Sequence, residues 1–160
     1  MKKGVLLLQL GLGRTGRALV GHYLAQADRY PQLRYLGIGD RSGLWIIPDG
    51  WGRPTLAEAA GFKTTGVPLT RWGPSQRGSE WVPAPEAYTP DLIWRLDELG
   101  IRRAIVVDTT GPGSNTAPLL VELRRAGYDV VLANKAPLAG SQESYQALTG
   151  PARGRLVWDA

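Results

Sequence analysis

The sequence contains no cysteine. Disulfides, thiolate metal sites and thiol nucleophiles are excluded together. Histidine occurs once, at His22, so no histidine-based metal site or catalytic triad can be assembled. Long apolar runs are missing too. The run Val5–Leu8 is far short of the ~20 residues that a membrane-spanning helix needs. The first residues are basic, as in a signal peptide, but the apolar run is short and leads straight into a glycine motif without a cleavage pattern. It reads as a first strand, and the protein is expected to be cytoplasmic, with no membrane partner. The net charge is +5, yet the basic residues form no block or stripe. No nucleic-acid partner is expected, and an anionic small ligand suits so modest an excess. The available chemistry is therefore that of Lys, Asp, Glu, Ser, Thr, Tyr or a bound cofactor.

What is present is an alternation of strand and helix. The 160 residues suit one domain. Strands are expected at Gly4–Leu10, Leu33–Ile38, Arg103–Asp108, Asp129–Ala133 and Arg155–Trp158. Between them, Thr15–Ala27 carries Leu19, Val20, Tyr23, Leu24 and Ala27 at helical spacing. A short helix near Thr55–Ala60 stops at Gly61. Thr89 as N-cap and Pro90 at the first helical position open a helix that Gly100 closes. Further helices are expected over Thr116–Ala126 and Ser141–Leu148. The stretch Gly61–Tyr88, rich in Gly, Pro, Thr and Trp, shows no periodicity; it reads as an irregular insertion or cover holding a short strand at Gly66–Leu69. Apolar strands separated by helices imply a doubly wound, mainly parallel α/β sheet with helices on both faces. Ligands of such sheets bind beyond the carboxyl ends of the strands.

Four motifs fall at those ends. GLGRTG, Gly11 to Gly16, sits between a strand and a helix, the context of the dinucleotide fingerprint. Gly11 allows the tight turn, Gly13 the approach of a pyrophosphate, and Gly16 close packing of helix on strand. Gly11, Leu12, Gly13, Arg14, Thr15 and Gly16 are the candidate phosphate site, with Arg14 in reach of phosphate and Arg17 a solvated charge. Asp40, in GIGDRSG, stands where an acid receives ribose hydroxyls, which favours NAD; Arg41 beside it can pair with a 2′-phosphate, which favours NADP. The cofactor stays open between NAD and NADP. DTTGPGSN, Asp108 to Asn115, offers the hydroxyls of Thr109 and Thr110 and the flexible Gly111 toward a nicotinamide; capping of the next helix by Ser114 or Asn115 is the alternative role. ANKAPLAG, Ala133 to Gly140, places Lys135 at the carboxyl end of a strand.

In order and spacing, GLGRTG, GDRSG, DTTGPGSN and AGYDVVLANKAPLAG resemble the nucleotide-binding half of homoserine dehydrogenase across essentially the whole chain. The resemblance implies a Rossmann-type NAD(P)-binding domain, residues 1–160. It implies interconversion of L-homoserine and L-aspartate 4-semialdehyde with NAD or NADP, on the biosynthetic route to threonine and methionine. Its partners would be the dinucleotide and a small amino-acid substrate. By the same resemblance Lys135 is the catalytic residue beside substrate and nicotinamide, Asn134 joins the cofactor site, and Thr109 and Thr110 flank the nicotinamide. The family continues into a second, catalytic domain with the rest of the active site and the dimer interface. That domain is absent from this sequence, so the 160 residues are expected to bind cofactor but not to turn over substrate alone. A non-catalytic dinucleotide sensor and an aspartate dehydrogenase-like domain are the alternatives. Trp45, Trp51, Trp72 and Trp81 either pack under the long loop or mark a patch for a homo-oligomer or the missing domain.

Overall fold

The structure is a computed structural model, and it describes residues 4–159. Seven strands form one sheet: β1 (Val5–Leu10), β2 (Leu33–Asp40), β3 (Gly43–Ile46), β4 (Glu80–Pro83), β5 (Ile105–Asp108), β6 (Asp129–Leu132) and β7 (Leu156–Trp158). Their order across the sheet is β4-β3-β2-β1-β5-β6-β7. All neighbouring pairs are parallel except those made by β3, which runs antiparallel to both β2 and β4. Among the described residues the α-helices are α1 (Arg14–Gln26), α2 (Arg53–Phe62), α3 (Asp91–Glu98), α4 (Ala117–Ala126) and α5 (Gln142–Thr149).

The pleat of β1 explains the two layers. Successive side chains of a strand point to opposite faces. Leu8 and Leu10 join the core that α3, α4 and α5 close with Leu92, Leu96, Leu119, Leu123 and Leu148. Leu7 joins the other core, which α1 and α2 close with Val20, Leu56 and Ala59. Both faces of the sheet are thus covered, as the apolar strands imply.

The region after β2 departs from the sequence reading. Asp40 and Gly43 face each other across a tight turn, so the chain doubles back as β3 at once. Gly43 has φ 150°, and a side chain there would meet the Trp81 ring at 2.5 Å. The expected strand Gly66–Leu69 does not form. Pro68 has no amide to pair, and Leu69–Arg71 is a 3₁₀ turn instead. The strand of this segment is β4, Glu80–Pro83, which adds to the sheet through β3.

The rest of 61–88 is tied down rather than loose. Trp45 Nε1 donates to the carbonyls of Trp72 (3.1 Å) and Leu69 (3.3 Å). Trp51 and Trp72 stack with ring centroids 5.9 Å apart, and Trp45 lies against Trp81 at 5.2 Å. Gln76 bridges the Gly50 carbonyl and the Gly52 amide. These four tryptophans pack locally under the segment; the most exposed tryptophan is Trp94 on α3, at 78%.

Helix starts are also corrected. The Thr89 hydroxyl donates back to the Glu86 carbonyl and does not cap α3, whose N-cap is Pro90. Neither Ser114 nor Asn115 caps α4, whose N-cap is Thr116. Ser141 does cap α5, accepting from the Ser144 amide. No helix among the described residues is long and apolar enough to cross a membrane.

Arg124 on α4 is buried, and among the described residues no carboxylate pairs with it. Its guanidinium donates to the carbonyls of Leu148, Gly150 and Gly154, joining the end of α5 to the turn before β7. Arg124→Met should leave these carbonyls unsatisfied and cost about 2–4 kcal/mol, read by urea denaturation. A loss below about 0.5 kcal/mol would show that the guanidinium is not what holds α5 in place.

Candidate functional site

The site is built at the carboxyl ends of β1, β2 and β5. Gln9 is a fully buried polar residue in an otherwise apolar strand. Its amide nitrogen donates to the carbonyls of Gly11 (2.8 Å) and Gly16 (3.0 Å), and its oxygen accepts the Tyr35 hydroxyl (2.7 Å). The glycine turn is therefore pinned from below. Gly11 has φ 94°, and a side-chain carbon on it would lie 2.7 Å from the Thr109 backbone. A carbon on Gly16 would collide with the Gly11 carbonyl and with Gln9. Gly13 faces open space. It is the N-cap of α1, with no side-chain cap, so the first amides of the helix are left for an incoming acceptor.

A cleft of about 790 Å³ lies above this turn. Gly11, Leu12, Gly13, Asp40, Arg41, Thr109, Thr110 and Gly111 line it. Five sequence candidates do not. Arg14 and Thr15 are exposed on the first turn of α1, and Gly16 is buried beneath it. Asn134 is buried behind the β5–α4 loop, and Lys135 is exposed beyond the end of β6. Arg17, expected as a solvated charge, is half-buried, lines the cleft and donates to the Lys63 carbonyl at 3.4 Å.

Asp40 is engaged at both oxygens. Oδ1 accepts the amide of Ser42 at 2.9 Å and its hydroxyl at 2.5 Å. Oδ2 accepts the Lys63 ammonium (2.7 Å) and the Leu69 amide (2.9 Å). Burial pushes this carboxyl up, but Lys63, Ser42 and Leu69 together outweigh it and hold it below the usual carboxylate range. Tyr88 donates to the Asp40 carbonyl at 2.5 Å and completes that wall. Burial, and then the nearby Asp40 and Asp108 charges, push its hydroxyl well above the ordinary phenol range.

At the other end the threonine hydroxyl protons are already committed. Thr109 donates to the Gly11 carbonyl at 2.6 Å. Thr110 donates to Asp108 Oδ1 at 2.6 Å and accepts Asn134 Nδ2 at 3.0 Å. Toward a ligand these hydroxyls are acceptors only. Asn134 also accepts the Ala136 amide at 3.0 Å, so it braces the β5 and β6 loops against each other.

Gln9, Tyr35, Lys63 and Tyr88 escaped the sequence reading. Gln9 had a readable signal, a lone amide inside the run Val5–Leu10. Lys63 and Tyr88 had none, because they come from the stretch without periodicity.

The Asp40 pairing has a pH signature. Its folded pKa is depressed, so its contribution is present above the unfolded pKa of about 4 and is lost as pH falls through the lower folded value. Lys63→Met should destabilise the protein by roughly 1–3 kcal/mol at pH 7. In thermal melts from pH 7 to pH 2 that deficit should shrink toward zero. A deficit independent of pH would mean that Lys63 acts through packing alone.

No protein-family model matches this sequence, and no curated protein does. Solved structures do. A hyperthermophilic archaeal homoserine dehydrogenase in complex with NADPH superposes with a TM-score of 0.68 at 21% identity, over 97% of this chain and 43% of its own. The homoserine dehydrogenase of Thermoplasma acidophilum gives 0.61 at 17%, over 98% and 43%. The glutamate dehydrogenase of Plasmodium falciparum gives 0.59 at 13%, over 90% and 27%. The chain spans less than half the length of these enzymes. At such identities the likeness is one of fold, and the fold is the doubly wound, Rossmann-type sheet that these dehydrogenases share with it.

Proposed function

We propose that the chain is the NAD(P)-binding domain of an oxidoreductase of the homoserine dehydrogenase type. The observation that carries this reading is the junction of Gly11, Gly13 and the uncapped start of α1 at the floor of the cleft. A pyrophosphate fits there, because amides point at it and no side chain stands in its way. The motif resemblance and the likeness in fold to two homoserine dehydrogenases support the same reaction class. When bound, the nicotinamide supplies the hydride acceptor or donor.

This chain's residues supply the rest. The adenosine end carries Arg17, Arg41 and Lys63, with one opposing carboxylate, Asp40. Both Asp40 oxygens are occupied, so the acid does not invite ribose hydroxyls, and the excess positive charge suits a 2′-phosphate. We therefore assign NADP as the preferred dinucleotide. Lys135, exposed at the end of β6, is the group that would polarise the carbonyl of L-aspartate 4-semialdehyde or hold the hydroxyl of L-homoserine.

Calorimetric titration should show NADP(H) binding by the 160-residue chain, tighter than NAD(H). Failure to bind either would overturn the reading. Arg41→Ala should weaken NADP about tenfold more than NAD, since it removes a charge-assisted bond made to the phosphate alone. Lys135→Ala should leave dinucleotide affinity within about twofold but lower homoserine oxidation by about 100-fold or more in a protein that turns over. Binding without homoserine-dependent absorbance at the nicotinamide band, in a protein that also holds the second domain, would favour a dinucleotide-binding module instead.

A further inference from the structure

Asp108 ends β5 and is completely buried. It differs from Asp40 in one respect: its partners are neutral. Oδ1 accepts the Thr110 amide (2.9 Å) and hydroxyl (2.6 Å), and Oδ2 accepts the Thr116 hydroxyl (2.7 Å). Every Lys or Arg that forms an ion pair among the described residues does so with another carboxylate. The bonding pattern identifies the proton donors. The Thr110 amide can only donate, and the Thr110 hydroxyl already accepts from Asn134. Asp108 Oδ1 thus accepts from the Thr110 amide, and all three hydrogen bonds of the carboxyl are made with neutral groups. The start of α4 lies beside it through Thr116, and among the described residues no Lys or Arg forms an ion pair with it.

Three of the groups around this carboxylate, Thr109, Thr110 and Thr116, line the cleft. Resting on the dinucleotide reading above, the ends of the cleft can be told apart. Asp40, Arg41 and Lys63 mark the adenosine end over β2, and the glycine turn over β1 takes the pyrophosphate. The nicotinamide half is left over β5, on the other side of β1. An oxidised nicotinamide ring carries a positive charge, and a reduced ring carries none.

We propose that Asp108 sets the redox preference of this site: its buried charge favours the oxidised dinucleotide over the reduced one. It is a positioning residue, since it acts on the ring through space and through the threonines that it holds. A carboxyl kept wholly out of contact with solvent is screened less than a surface one and can act over the width of a loop.

The test compares dissociation constants for NADP+ and NADPH, by calorimetry on the 160-residue chain. Asp108→Asn keeps the shape and removes the charge. It should weaken NADP+ relative to NADPH by at least about threefold, the change expected of a buried charge acting across a loop. Asp108→Ser is a second neutral variant that can still bond the Thr110 amide. It should move the ratio the same way as Asp108→Asn, and it decides the matter if Asp108→Asn does not fold. Equal weakening of both forms in each variant would overturn the proposal, because a purely structural Asp108 cannot tell the two rings apart. Wild-type protein that binds neither form would overturn the dinucleotide reading itself.

Discussion

The site depends on the absence of two side-chain carbons. The turn between β1 and α1 passes so close to the β5–α4 loop that Gly11 touches the Thr109 backbone, and Gly16 lies directly under the Gly11 carbonyl. Two carbonyls turned inward by this crossing, those of Gly11 and Gly16, both accept from one buried amide, Gln9, and the Gly11 carbonyl accepts from Thr109 as well. Left bare, each would cost the desolvation of a polar group. Gln9 is in turn held by the Tyr35 hydroxyl on the neighbouring strand. The glycine turn is thus a continuation of the sheet's interior hydrogen bonding. It comes to any ligand already rigid, which reduces the entropy lost on binding.

The two ends of the cleft handle negative charge differently. Asp40 is paired with a lysine and surrounded by donors, and it organises a wall made from distant pieces: Ser42, Lys63, Leu69 and Tyr88. Asp108 has hydroxyls and an amide, and it organises the β5–α4 loop. In both places a buried carboxylate at a strand end gathers amides that would otherwise be unpartnered where the ladder stops. The difference lies in what the gathered segment presents outward. Cations stand at one end, and threonine acceptors at the other.

Much of this was legible in the residues. The pattern of apolar strands, each followed by a helix with its own cap or stop, leaves few topologies, and the doubly wound sheet is the one observed. The glycine spacing of GLGRTG named its own geometry, because φ above zero at Gly11 and zero clearance at Gly16 are what glycine alone tolerates. The segment 61–88 was not legible. Its order comes from tryptophan stacking, Gln76 bridging and an antiparallel addition through β3, all of them contacts between residues far apart in sequence. Such contacts leave no periodicity behind.

Local chemistry therefore determined the sheet class, the glycine turn and which strand ends carry polar residues, since each depends on residues within a few positions of one another. Tertiary structure alone decided which polar groups remain available. Asp40 reads in the sequence as a free acid and is in fact neutralised by Lys63, 23 positions away. Thr109 and Thr110 read as hydroxyls offered to a ligand, and their protons already go to Gly11 and Asp108. Asn134 reads as a ligand contact, and the fold also uses it as a brace between two loops. A side chain's hydrogen-bonding capacity is written in its type, but how much of it is already used depends on neighbours that only the folded chain brings within 3 Å.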